Sequence, residues 1–358
     1  MNKDNYAVLM AGGVGSRFWP VSTTQKPKQF RDLLGTGETL IQTTFRRLTA
    51  LVPAENILIL TNEKYEILVH DQLNVEPGQV VLEPAMRNTA PAVLLAALKI
   101  YKKNKNAVMI MAPSDHWIEN ETAFTNDINA AFEACRRDDR IVTLGVLPSF
   151  PNTGYGYIQY DKNGSGKVKN VNEFTEKPTI EVARRFLKEG NYLWNAGIFI
   201  WNVDFILRSF SRNLPELYDL FDKGREKLNT VEEFDFIGKH YSSAPDISID
   251  YGILEKEKNI FVIPASFDWN DLGTWGSLFD QCDKDGQENV VLNARVLAQA
   301  SEGNIISSNS NKVVVIDGLH RYIVVDEKDV LLIVPKEKEQ EIKQIREMVQ
   351  KKFGENLG

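Results

Sequence analysis

Between residues 1 and 147 the chain alternates two hydrophobic periods. Short continuous apolar runs recur at Tyr6–Ala11, Ile57–Thr61, Val80–Glu83, Ala107–Ala112 and Ile141–Val146, as expected of strands buried on both faces. Helical spacing lies between them, over Leu40–Leu51, Glu63–Leu73, Thr89–Lys103 and Glu121–Arg137. Thr89 is the expected N-cap of the third helix, with Pro91 in its first turn. This alternation predicts an α/β fold with a mostly parallel sheet, helices on both faces and ligands beyond the C-terminal strand ends.

From about Pro148 the pattern loosens. Tyr155–Tyr160 and Val168–Thr175 read as strands around Asn163-Gly164-Ser165-Gly166, and helical stretches follow near Ile180–Lys188, Val203–Phe210 and Val231–Tyr241. Two halves, 1–147 and 148–287, are therefore expected to share one large sheet. From 288 to 358 short β-like runs at Val296–Ala300, Asn304–Ser307, Val313–Asp317, Tyr322–Asp326 and Val330–Val334 precede one helix, Lys336–Phe353. That helix carries Ile342, Ile345, Met348, Val349 and Phe353 on one face, which suits packing on its own domain or on a second subunit.

Composition narrows the class. The 358 residues are 43% hydrophobic and 25% charged, with net charge −7. An acidic balance argues against nucleic acid as partner, but a small phosphorylated ligand needs only a few placed cations. Cys135 and Cys282 lack metal-ligand spacing and read as two reduced thiols. The run Tyr6–Ala11 is short for a signal sequence and no segment has the ~20 apolar residues of a membrane span, so the expectation is a cytoplasmic protein without membrane contact.

The first strand leads into Gly12-Gly13-Val14-Gly15-Ser16-Arg17. Such glycines let backbone N–H groups approach a phosphate, although an ordinary strand-to-loop turn would use them too. Arg17 suits a polyphosphate and Lys28 a single phosphoryl group. The Walker pattern is absent. The dinucleotide pattern fails at Phe18 and at Thr61-Asn62, where an acidic residue is needed.

The full string Gly12-Gly13-x-Gly15-x-Arg17-x-x-Pro20, with Lys26-Pro27-Lys28-Gln29-Phe30, resembles the signature of the sugar-nucleotide pyrophosphorylases. Its Pro-Lys-Gln-Phe ending is similar to that of the mannose-1-phosphate guanylyltransferases. The resemblance continues, in family order, through Glu83-Pro84-x-x-Arg87-Asn88-Thr89-Ala90-Pro91, Pro113-Ser114-Asp115-His116, Phe174-Thr175-Glu176-Lys177-Pro178, Trp194-Asn195-Ala196-Gly197-Ile198-Phe199 and Asp268-Trp269-Asn270-Asp271-Leu272-Gly273-Thr274-Trp275. Phe18, Val21 and Thr175 depart mildly from the pattern. The isomerase domain that some relatives carry is not expected in a chain ending at 358.

The resemblance implies a Rossmann-like nucleotidyltransferase domain over 1–287, nucleotide-binding to about 147 and sugar-binding beyond. A small β-rich domain over 288–358, short, β-helix-like and ending in a helix, would follow. The implied reaction makes GDP-mannose and pyrophosphate from GTP and mannose 1-phosphate. Two anions meet in it, so positioning and charge neutralisation by Mg2+ and cations dominate.

By the same resemblance Arg17, Lys28 and Asp115 are catalytic, and Asp115 and Asp271 hold the metal. Ala11, Gly12, Gly13, Gly15, Ser16, Arg17, Arg87, Asn88 and Thr89 bind the nucleotide, and Gly154, Tyr155, Glu176, Lys177 and Asn195 the sugar phosphate. Blander uses stay open. Either aspartate can form a turn, Arg87-Asn88-Thr89 can cap a helix, and Glu176-Lys177 can be an exposed pair. His116 reads as structural, since an ionised phosphate oxygen needs no base. Other sugars or bases, such as glucose 1-phosphate with UTP or dTTP, and a non-catalytic regulatory homologue remain alternatives. The sparse apolar content of the tail leads to the expectation of a homodimer through the C-terminal domain.

Overall fold

The computed structural model describes residues 1–310 and 312–358. The chain divides into two compact units, each discontinuous in sequence. The first comprises Met1–Gly12, Phe45–Pro113 and Ile118–Trp269; the second comprises Gly13–Thr44, Ser114–Trp117 and Asn270–Gly358. The second unit thus joins the 288–358 tail to the glycine-rich segment and to residues 270–287.

The strands in chain order are β1 (Asn5–Met10), β2 (Ile57–Asn62), β3 (Val80–Glu83), β4 (Val108–Pro113), β5 (Trp117–Ile118), β6 (Ile141–Val146), β7 (Tyr157–Tyr160), β8 (Lys169–Thr175), β9 (Tyr192–Asn202), β10 (Ile260–Pro264), β11 (Trp269–Asn270), β12 (Val290–Leu292), β13 (Arg295–Gln299), β14 (Ile305–Ser308), β15 (Val313–Asp317), β16 (Tyr322–Asp326) and β17 (Leu331–Pro335).

The first unit is built on a nine-stranded sheet of order β3-β2-β1-β4-β9-β6-β10-β8-β7. Following the pairing senses, only β8 and β9 oppose the other strands, so the sheet is mixed and mostly parallel. Ala7, Val8 and Leu9 of β1 are fully buried, which explains its unbroken apolar run. The helix Thr89–Lys103 is buried from Ala90 to Ile100, and its alanines join Val8, Leu58 and Leu60 in one core.

Three local readings are corrected. The helix beginning at Thr89 is capped by Asn88, whose side chain accepts from the Thr89 N–H. The Thr89 hydroxyl instead accepts from the Ile249 N–H at 2.9 Å. The stretch Glu63–Leu73 divides into a 3-10 turn at Glu63–Tyr65 and a helix at Glu66–Gln72. The terminal helix likewise divides into a 3-10 segment, Lys336–Glu341, and an α-helix, Ile342–Phe353.

In the second unit β12, β14 and β16 stack in parallel, as do β13 and β15, and β17 closes antiparallel on β16. Val290, Ile305 and Ile323 thus lie above one another. A buried asparagine ladder supports the stack. Asn304 donates its amide to Asn289 Oδ1 at 2.9 Å and accepts the Tyr322 N–H at 2.9 Å. This is the short β-helix-like tail expected from the family resemblance.

The tail leans on its own unit. Val290, Ile305, Ile323, Val325 and Ile342 share a core with Phe18, Trp19, Val21, Leu33, Leu272 and Trp275, and Ile345 and Val349 pack against it. Met348 and Phe353 of the same helical stripe are exposed. Among the described residues no helix is long and apolar enough to cross a membrane.

Candidate active site

Within the second unit, Gly15, Ser16, Arg17, Lys28, Asp115, His116 and Asp271 line one cavity of about 270 Å3. Gly15 takes the left-handed conformation, φ 68°, and caps the turn Ser16–Phe18. Lys28 opens a second short turn, Lys28–Phe30, and is buried with it. Asp115 follows the end of β4 by two residues, and Asp271 begins the turn that precedes the helix Trp275–Gln281.

The ammonium of Lys28 is fully committed. It lies 2.9 Å from Asp115 Oδ2 and donates to the Asp271 and Leu272 carbonyls at 2.8 and 2.9 Å. Three donors therefore meet three acceptors. Burial pushes the Asp115 carboxyl up, but the Lys28 and His116 charges and its hydrogen bonds outweigh this and hold it below the usual carboxylate range. Asp271 Oδ1 accepts the Gly273 N–H at 3.0 Å. Arg17 is exposed in the cavity wall and pairs with no described residue.

Among the described residues no three His, Cys, Asp or Glu side chains gather to hold a metal by themselves. Two carboxylates in one cavity do suit Mg2+, which is commonly held by one or two carboxylates completed by substrate phosphates and water.

The remaining nucleotide candidates divide by use. The Ala11 N–H donates to the Leu60 carbonyl, and its carbonyl accepts the Thr61 hydroxyl, so this residue extends the β1 ladder. A Cβ placed on Gly12 or Gly13 would meet nothing within 4 Å. In the first unit Arg87 donates to the Ser242 carbonyl. Asn88 caps its helix at φ 61°, ψ −163°, a backbone region otherwise almost confined to glycine and therefore strained here.

The sugar candidates form a second cluster, within the first unit. Glu176 ion-pairs with Lys177 at 2.8 Å, the carboxylate 9% and the lysine side chain 60% exposed, so the acid is withdrawn from solvent while its partner stays in it. The hydrogen bond to Glu176 raises the Lys177 pKa. Asn195 Oδ1 accepts the Gly197 N–H at 3.0 Å, and the Thr143 hydroxyl lies 3.3 Å from it. Gly154 donates its N–H to Asn152, and the Tyr155 ring meets Trp194 and Trp269 edge-on.

Two residues of this cluster escape sequence reasoning. A Cβ on Gly156 would lie 2.4 Å from Glu176 Oε2. Asp250 accepts from Asn195 Nδ2 at 3.3 Å. Burial and then the like charge of Glu176 push the Asp250 carboxyl up to about 6. Gly156 belongs to a Gly-Tyr-Gly string that offered a weak signal; Asp250 offered none.

Known proteins match this architecture. A family model described as nucleotidyl transferase matches residues 6–288. The chain is 36% identical over 344 residues to the mannose-1-phosphate guanylyltransferase RfbM of Salmonella typhimurium, covering 94% of this chain and 71% of that one. It is 35% identical over 354 residues to the mannose-1-phosphate guanylyltransferase of Salmonella montevideo, covering 96% and 73%. A solved structure from Thermus thermophilus, described as a mannose-1-phosphate geranyltransferase, superposes with TM-score 0.88 at 30% identity, over 97% of this chain and 99% of that one. The chain belongs to the nucleotidyl transferase family, among the mannose-1-phosphate guanylyltransferases.

Proposed function

We propose that this chain joins mannose 1-phosphate to GTP, forming GDP-mannose and releasing pyrophosphate. The observation that carries the reading is the single cavity lined by Arg17, Lys28, Asp115 and Asp271, in a chain of this family. A phosphate oxygen of the sugar phosphate attacks the α-phosphorus. The bond from that phosphorus to the bridging oxygen breaks, and pyrophosphate leaves with the electron pair. No proton has to move.

Each group has a role in neutralising or orienting charge. Asp115 and Asp271 would hold Mg2+, which when bound supplies positive charge to the phosphate oxygens. Arg17, exposed and paired with no described residue, is available to grip the terminal phosphates. Lys28 keeps Asp115 ionised and, by exchanging one backbone carbonyl for a phosphate oxygen, offsets charge on the α-phosphoryl group. The loop around Gly12, Gly13, Gly15 and Ser16 admits the phosphates, and Arg87, Asn88 and Thr89 serve the base. Glu176, Asn195, Gly154 and Tyr155 serve the hexose, and Lys177 its phosphate. The division of labour is nucleotide-binding to about 147, sugar-binding to 287 and a C-terminal β-rich region from 288.

The reading extends to assembly and place. Leu297, Val313 and Val315, on the paired strands β13 and β15, are exposed, as are Met348 and Phe353. They offer apolar area for a homodimer through the C-terminal domain, in a protein acting in the cytoplasm. Light scattering on the full chain tests the dimer, and a monomer at micromolar concentration rejects it. The activity is tested by incubating pure protein with GTP, mannose 1-phosphate and Mg2+ and measuring pyrophosphate. Release with UTP and glucose 1-phosphate but not with this pair overturns it.

A further inference from the structure

Asn195 has a fixed orientation. The Gly197 N–H can only donate, so the Asn195 atom 3.0 Å from it is the amide oxygen. The amide nitrogen therefore faces Asp250, 3.3 Å away. One of its two N–H groups is spent there and one is left for a ligand. Asp250 is only partly exposed and stands close enough to Glu176 for the two carboxylates to repel.

A second observation points to the same place. Asp250 opens a π-helical segment, Asp250–Leu254, an irregularity frequent at functional sites. The residues before it are tied to the nucleotide candidates. The Ile249 N–H donates to the Thr89 hydroxyl and the Ala90 N–H to the Ile247 carbonyl.

We propose that Asp250 is a specificity-determining residue of the hexose site: it fixes the Asn195 amide and, with Glu176, forms a two-carboxylate wall that accepts a hexose hydroxyl. This rests on the reading of the cluster as the sugar site. A purely structural role fits poorly, because burial and the neighbouring Glu176 both oppose the ionised Asp250, and Lys177, paired with Glu176, only partly offsets them. A wall of acceptors rejects any sugar that fails to present a donor there, since its own groups then go unpaired.

The test uses the full chain with mannose 1-phosphate and its singly deoxygenated analogues, in wild type and Asp250→Asn. In wild type one deoxy position should lower kcat/KM roughly ten- to a hundredfold, the cost of leaving a buried acceptor unpaired. In Asp250→Asn the parent sugar phosphate should lose a similar factor, mostly in KM, with the KM for GTP within about twofold. The deoxy penalty at that position should then largely vanish, because the two changes remove one interaction. Additive penalties at every position overturn the proposal. Should the variant fail to fold, uniform turnover of all deoxy analogues by wild type overturns it as well. If wild type does not turn over mannose 1-phosphate at all, the functional reading fails; if it does and Asp250→Asn discriminates unchanged, only the role of Asp250 fails.

Discussion

A Cβ on Gly15 would lie 2.5 Å from the Cβ of Lys28. That contact is with the root of the side chain, which cannot swing away, and Gly15 also sits at φ 68°. Gly15→Ala should therefore displace Lys28, destabilise the fold by about 1–3 kcal/mol and abolish turnover. Gly13→Ala meets no such neighbour, so its melting temperature should stay unchanged while GTP turnover falls, if phosphates pass over this backbone. Calorimetry with steady-state kinetics on both variants separates the cases. A Gly13→Ala enzyme with normal KM and kcat rejects close phosphate approach there.

The two cations should fail differently. Lys28 satisfies Asp115 and two carbonyls, so Lys28→Ala should lower both the melting temperature and the rate. Arg17 pairs with no described residue, so Arg17→Ala should leave stability alone. Each should slow turnover by roughly two to four orders of magnitude, the scale of losing one charge-stabilising donor. Arg17→Ala should also weaken pyrophosphate binding in the reverse direction. Both rates within a few-fold of wild type would remove Arg17 from the site.

Chelation of divalent ions should stop turnover, and Asp271→Asn should be nearly inactive yet folded. The fold survives because an amide oxygen can still accept the Gly273 N–H. Asp115 adds a pH constraint. Its folded pKa is depressed, so the stability it contributes is present above about pH 4 and lost as pH falls through its folded value. Loss of activity between pH 5 and 7 should thus arise elsewhere and survive in Asp115→Glu. Substantial activity of Asp271→Asn at saturating Mg2+ would take that residue out of metal binding.

How far the sequence carried this picture depends on how local each feature is. The strands β1, β2, β3, β4 and β6 and the helices Thr89–Lys103 and Glu121–Arg137 were legible, because an unbroken apolar run or a periodic face marks each one. The eleven residues of β9 were not. Their apolar run is interrupted by Asn195-Ala196-Gly197, and what makes them a strand is pairing with β4 and β6, far away in sequence. The five residues of β10 are different: Ile260-Phe261-Val262-Ile263 is itself an unbroken apolar run, and no physical obstacle hides this strand from a sequence reading. In the cavity the charges of Lys28, Asp115 and Asp271 could be read off the motifs. That Lys28 spends two donors on carbonyls 243 and 244 residues away could not. Asp250 is a lone acidic residue in Ile249-Asp250-Tyr251, and only the fold brings it to Asn195.

Asp250 also makes a prediction about stability whose sign is unusual for a carboxylate in a hydrogen-bonded cluster. Its folded pKa is raised from 3.8 to about 6, so between these values the unfolded chain has released the proton and the folded chain retains it. Stability then falls as pH rises from about 4 to about 6, and is flat in this term on either side. Asparagine carries no such charge. Asp250→Asn should accordingly match wild type near pH 4 and exceed it by about 1–3 kcal/mol at pH 7, as a shift of this size implies. Urea unfolding at the two pH values measures the difference. If hydrogen bonding to Asn195 dominated instead, the variant would be the weaker protein at both, and the carboxylate would be a stabilising strut. A variant that is more stable at pH 7 and yet poorer at holding mannose 1-phosphate is the outcome expected of a charge kept for its ligand.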